Sequence, residues 1–170
     1  MRDLDGACES LLDGYRAVAA GEMSVLPGFN PELTLETGGF REWEGHGLGV
    51  LIAPWFMNLI LLPGPEDDWT EVDPREGCEW KLPTELIVFH PCELAGPGLH
   101  LTAPLFTDLS GFPDQATARA VAREVMHQLF EPGAEHAPAD AGATRLLEKP
   151  VSRRGLFRFV ASAGEASGDA

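Results

Sequence analysis

WEGHGLGVLIAPWFMNLILLPGPEDDW, residues 43–69, is the stretch that decides how this chain folds. From Gly47 to Ala53, and again from Met57 to Leu62, the residues are almost continuously apolar, the pattern of strands covered on both faces near the middle of a sheet. Pro54 cannot donate to a ladder and marks the bend between the two runs. Pro63-Gly64-Pro65 ends the second run before the acidic exit through Glu66, Asp67, Asp68 and Trp69. The cluster Gly45-His46-Gly47-Leu48-Gly49 has the glycine content of a phosphate-binding loop. The residues after it are apolar and strand-like rather than a helix whose N-terminus would hold the anion, so it reads as a tight turn between strands.

Working outward, Leu33, Leu35 and Thr37 alternate with Thr34 and Glu36, Gly38-Gly39 reads as a turn, and Phe40, Glu42 and Glu44 alternate with Arg41 and Trp43, which predicts a hairpin. Past a polar stretch containing Cys78, strands are expected at Leu86 to Phe89 and Leu99 to Thr102, separated by a Pro- and Gly-rich turn. Asp3 to Glu22 sets Leu4, Cys8, Leu11, Leu12, Tyr15, Val18 and Ala19 at helical spacing, with Gly21 placed as a stop. Gly14 inside this helix costs about 1 kcal/mol against Ala, so the helix depends on packing. Phe112 to Phe130 repeats the helical spacing, with Pro113 near its first turn and Ser110 or Gly111 as cap. The expected fold is α+β: a mainly antiparallel sheet of five to six strands flanked by an N-terminal and a C-terminal helix. One domain is expected over residues 1–160, with 131–150 a loop-rich linker, 151–160 a docking tail and 161–170 a disordered end.

The chain has 170 residues and a formal charge of -15, from 27 acidic against 12 basic residues. That sign disfavours nucleic acid and acidic membrane surfaces and favours a basic partner. The acidic start Met1-Arg2-Asp3-Leu4-Asp5 does not read as a secretory signal, and no apolar stretch approaches a membrane span. Cys8, Cys78 and Cys92 are odd in number and contain no C-x-x-C pair. A reducing, cytoplasmic setting without a cofactor is the expectation.

Candidate chemistry is sparse. His46, His90, His100, His127 and His136 form none of the helical metal-ligand pairs. His90-Pro91-Cys92 comes nearest to a ligand or nucleophile pair, and a small enzyme or binding domain using His90, Cys92 and His46 is the rival reading. A lone thiol is more often a small buried hydrophobe. Asp67, Asp68, Glu71 and Asp73 lack calcium-loop spacing and read as a solvated acidic lip for a cationic peptide. Trp55, Phe56 and Trp69, placed at bends beside proline, are either anchors for a partner or plugs over the sheet ends.

The run from Trp43 through Pro54-Trp55-Phe56-Met57 to Pro63-Gly64-Pro65 and Trp69 resembles the HybE/HupJ family of NiFe-hydrogenase assembly chaperones. Leu82-Pro83, Ala103-Pro104-Leu105 and Arg153-Arg154-Gly155-Leu156-Phe157 extend the likeness over most of the chain. The resemblance implies a cytoplasmic accessory protein, not an enzyme, that binds a hydrogenase small-subunit precursor with its twin-arginine signal, the large subunit, or other maturation proteins. Some relatives carry a fused rubredoxin-like segment with paired C-x-x-C ligands, which Cys8, Cys78 and Cys92 do not supply. The expected contact surface is Trp55, Phe56, Asp67, Asp68 and Trp69, with Arg153 and Arg154 as a second element. Ser152-Arg153-Arg154-Gly155-Leu156-Phe157 looks like a twin-arginine motif far from an N-terminus, which makes it either a mimic of the client's signal or a tail that covers the sheet.

Overall fold

The computed structural model describes residues 3–20 and 28–131. In chain order it contains α1 (Leu4–Ala19), β1 (Glu36–Trp43), β2 (His46–Ile52), β3 (Met57–Leu62), β4 (Cys78–Lys81), β5 (Leu86–Leu94), β6 (Gly98–Phe106) and α2 (Gln115–Phe130). The strands form a 6-stranded sheet in the order β1-β2-β3-β6-β5-β4, and every pairing is antiparallel. This is the expected α+β architecture, with β2 and β3 inside the sheet as their unbroken apolar runs require.

Alternation along the strands sends side chains to two separate cores. Leu48, Val50, Ile52, Met57, Leu59, Leu61, Leu101, Ala103 and Leu105 join Val121, Val125 and Leu129 of α2 on one face. Leu51, Ile60 and Leu62 meet Leu11 and Tyr15 of α1 on the other. Fully burying one such aliphatic side chain contributes about 1.5–3 kcal/mol, so these two layers hold the sheet between its helices. Gly14 lets α1 come close to the β5–β6 turn: a Cβ there would sit 2.7 Å from Pro97 Cδ.

Local capping differs in detail from expectation. Asp3 caps α1, its Oδ1 accepting from the Gly6 N–H at 3.0 Å. Ser110 and Gly111 do not cap α2. Asp114 does, accepting from the Thr117 N–H at 2.7 Å, while Ser110 bonds to Asp108. Pro113 therefore precedes the cap instead of occupying the first turn.

The first hairpin is also placed differently. Gly38-Gly39 is not its turn but a bulge within β1, where the register with β2 shifts between Gly38 and Arg41. The turn is Glu44-Gly45, with φ of 49° and 81°, joining Trp43 to His46 as a two-residue connection in the left-handed region that matches strand twist. Leu33 is buried but lies before the strand, which starts at Glu36. The later strands run longer than their apolar centres: β5 continues through His90-Pro91-Cys92 to Leu94, and β6 through Pro104 to Phe106. The β4 strand, with only Cys78 and Trp80 turned to the core side, carried too little pattern to be read. The expected linker beyond Glu131, the tail at 151–160 and the end at 161–170 lie outside the described residues, as does the helix stop at Gly21.

Candidate functional site: an acidic loop held by an aromatic cluster

Strand alternation builds this site at one end of the α2 face. Trp43 and His46 are opposite partners across the β1–β2 hairpin, so both side chains emerge on the same face. Trp80 reaches the same region from β4, and Trp69 enters from the loop after β3. The His46 ring stacks on Trp69 at 5.9 Å between centroids and 16° between planes, and meets Trp80 edge-on at 4.8 Å. Trp43 contacts both Trp80 and Phe130 edge-on, and the Arg41 guanidinium lies 4.1 Å over the Phe130 ring.

Asp67 ties the acidic loop to this cluster. Its Oδ2 lies 2.8 Å from His46 Nε2 and also accepts from the Gly64 N–H. Both His46 nitrogens are buried and neither makes a well-aligned hydrogen bond, so the contact with Asp67 is one of proximity rather than directed bonding. Asp68 points away into solvent. Thr70, through its hydroxyl and then its backbone N–H, holds the Asp68 carboxyl below the usual range. The loop thus leaves Asp68 in solvent and Asp67 turned onto His46, while Trp69 is buried beneath them.

Of the residues expected to form a contact surface, Asp67 and Asp68 are exposed and Phe56 is half-buried. Trp55 and Trp69 are each only 8% exposed. Trp55 meets Phe56 edge-on at 5.5 Å, and Phe56 in turn meets Tyr15 at 5.6 Å, so this pair belongs to the α1 side. Trp55-Phe56 and Asp67-Asp68-Trp69 therefore join different clusters, one on each face. Arg153 and Arg154 lie outside the described residues.

The rival trio is not assembled. A Cβ on Gly47 would strike Leu4 of α1, which puts His46, its neighbour along β2, on the opposite face from α1. Cys92 faces α1 instead, its Sγ 3.8 Å from the Tyr15 hydroxyl. His90 Nδ1 lies 3.2 Å from the Pro74 carbonyl. The fold does bring together Tyr15, Cys92 and His100. His100 is fully buried, with Nδ1 3.0 Å from the Gly98 carbonyl and Nε2 3.1 Å from the Tyr15 hydroxyl. A carbonyl only accepts, so Nδ1 carries the proton and Nε2 accepts from Tyr15. Burial holds His100 below the ordinary imidazole range, against the pull of the Gly98 carbonyl. Burial, with the Cys92 thiol beside it, pushes the Tyr15 hydroxyl well above the phenol range. Both groups stay neutral near pH 7, and their hydrogen bond fastens α1 to β6. Tyr15 and His100 are too far apart in sequence for any spacing rule to pair them.

Cys8, Cys78 and Cys92 are free, and no group of three or more His, Cys, Asp or Glu among the described residues is arranged to hold a metal. None of the described helices is long and apolar enough to cross a membrane.

The class of fold is an α+β protein: an antiparallel sheet between two helices, with an acidic loop fixed to its aromatic end. Residues 7–159 match the family described as "[NiFe]-hydrogenase assembly, chaperone, HybE", and the chain belongs to that family of hydrogenase assembly chaperones. It is 36% identical over 148 residues to the hydrogenase expression/formation protein HoxT of Azotobacter vinelandii, covering 86% of this chain and 92% of that one. It is 34% identical over 128 residues to the probable rubredoxin HupJ of Rhodobacter capsulatus, covering 75% of this chain but only 46% of that longer protein. The solution structure of HybE from Escherichia coli superposes with a TM-score of 0.60 at 21% identity, over 79% of this chain and 86% of that one, and shares the fold.

Proposed function

We propose that this protein binds the precursor of a NiFe-hydrogenase subunit in the cytoplasm before export or assembly, and that it does so without catalysis. The small subunit with its twin-arginine signal is the favoured client. The large subunit and other maturation proteins are the alternatives. The observation that carries this reading is the acidic loop: Asp68 stands in solvent, while Asp67, its side chain 26% exposed, turns onto His46 above Trp69 and Trp80, so the loop's acidic residues are held in a fixed position. A basic, partly apolar signal segment is complementary to that surface in charge. The proposed contacts are Asp67 and Asp68 backed by Trp69 on one face, Phe56 backed by Trp55 on the other, and Arg153 and Arg154 as a further element.

The deciding experiment is capture of the tagged protein from hydrogenase-expressing cells. A hydrogenase subunit precursor should co-purify, and Asp67→Lys with Asp68→Lys should remove it while leaving the circular dichroism spectrum unchanged. Recovery of no hydrogenase polypeptide by the unaltered protein would sink the proposal. Recovery of the large subunit alone would replace the favoured client.

A further inference from the structure

The two edges of the sheet are protected unequally. At the β1 edge a bulge interrupts the register between Gly38 and Arg41, and Glu36 is held by Arg119 and Gln115 of α2. Bulges and fixed charges are the means by which natural edges avoid pairing. At the other edge, β4 pairs with β5 in regular register from Cys78 to Lys81 and has no further neighbour among the described residues. Cys78 and Trp80 sit side by side on its core face, only partly buried, with Trp80 Nε1–H donating to Cys78 Sγ at 3.4 Å. Glu79 and Lys81 project from the opposite face and are exposed. Lys81 is a charged guard of the kind that keeps strands apart, but Glu79 stands two residues from it and offsets its charge.

Three observations point to the same occupant for this edge. The first is pattern: in 151–160, VSRRGLFRFV, Phe157 and Phe159 fall on one face of an extended chain and Leu156, Arg158 and Val160 on the other. The two phenylalanines can then continue the apolar row of Cys78 and Trp80, with Arg158 on the side of Glu79. The second is charge. The approach to β4 carries Glu66, Asp67, Asp68, Glu71, Asp73, Glu76 and Glu79 against Arg75, and 151–160 carries Arg153, Arg154 and Arg158 with no acid. The third is position. Thr84, in the β4–β5 turn, donates to the carbonyls of Gln128 and Leu129 at 3.0 and 2.9 Å, so α2 ends beside this edge and not beside β1 alone. The residues between Glu131 and Val151 give ample length to return along β4, since a crossover between parallel strands needs about a dozen residues.

We propose that residues 151–160 of this chain pair with the free edge of β4 as an additional strand, with Phe157 and Phe159 covering Cys78 and Trp80. The inference stands independently of which hydrogenase subunit is bound, because it concerns the protein free of any client. Running parallel to β4, the segment sets Arg153 and Arg154 near Asp73 and Glu76.

The test compares the full chain with a chain ending at Pro150, using thiol labelling of Cys78 and amide exchange at Glu79 to Lys81, with Cys8 and Cys92 as internal controls. Truncation should speed both Cys78 labelling and β4 exchange by about tenfold, with Cys8 and Cys92 changed by less than about twofold. A synthetic peptide of residues 151–160 should restore the protection, and Arg153→Glu with Arg154→Glu and Arg158→Glu in the full chain should mimic truncation. Equal rates in the two chains would overturn the proposal. So would uniform acceleration of all three thiols, which would mean general loosening of the fold. Protection that grows with protein concentration would overturn it too, by assigning the edge to a second copy.

Discussion

His46 and His100 sit on opposite faces of one sheet, each largely withdrawn from solvent, and their surroundings differ in kind. His100 is hydrogen-bonded to a phenol and a backbone carbonyl, with Cys92 its partner across the strands. His46 is enclosed by indoles with one carboxylate at the open side. The first arrangement satisfies both ring nitrogens and leaves nothing for a partner. The second leaves directed bonding incomplete and couples the core to an exposed loop. A buried histidine is thus a fastener on the α1 face and a support for a charged surface on the α2 face, and only the second arrangement communicates with solvent.

The contrast can be broken at several strengths. Trp69→Ala removes the ring on which His46 stacks and opens a cavity under the acidic loop. A loss of about 3–5 kcal/mol in urea unfolding is expected, the range for truncating a buried Trp. A loss below about 1 kcal/mol, with client capture abolished, would mean instead that Trp69 is a partner anchor in a loosely closed site. On the other face, Tyr15→Phe strands His100 Nε2 without its donor and should cost about 1–3 kcal/mol, the desolvation penalty of an unpaired buried acceptor. An unchanged midpoint would show that the Tyr15 hydroxyl bonds elsewhere in solution.

Acidity sharpens the same contrast with a smaller effect. The folded-state pKa of His100 lies below its ordinary value of 6.5, so below that pH the unfolded chain takes up the proton more readily than the folded one. Stability is therefore complete above about pH 6.5 and falls as the pH drops below it. Carboxylates contribute only lower down. Burial opposes ionisation of Glu36, but its Arg119 and Gln115 hydrogen bonds outweigh that and keep its pKa below 4.5, so its contribution is lost beneath that value. Unfolding midpoints measured from pH 7.5 to 5.5 should decline in the unaltered protein and be flatter in His100→Gln. The same slope in both would assign the titration to another group.

Much of this architecture was legible in residues 43–69, because two buried central strands leave a continuous apolar pattern that little else produces. The bend at Pro54 and the exit at Pro63 come from the chemistry of proline. The Glu44-Gly45 turn was harder to place, since Gly38-Gly39 has the stronger turn composition and only the partner strand reveals that it is a bulge. β4 escaped because four residues with two apolar side chains fall below any periodic signal. At the candidate site, the acidic loop could be read from local composition. The support beneath it could not, because His46, Trp69 and Trp80 are brought together by strand order, and so are Tyr15 and His100. Family resemblance supplied the class of function; the division of Trp55 and Trp69 between two clusters required coordinates.

Gly14 carries a consequence for how α1 exists at all. A helix of 16 residues interrupted by glycine is marginal by itself in water, and replacing that glycine by alanine in a peptide of residues 3–20 should raise its helicity. In the whole protein the added methyl would press on Pro97, and overpacking of that kind costs about 1–3 kcal/mol, more than the propensity gained. One substitution should therefore carry opposite signs in the fragment and in the intact chain, measurable by circular dichroism and by unfolding. Helicity in α1 is lent by the sheet on which Leu11 and Tyr15 pack, and the same glycine that makes the segment a poor helix alone lets it fit against the β5–β6 turn.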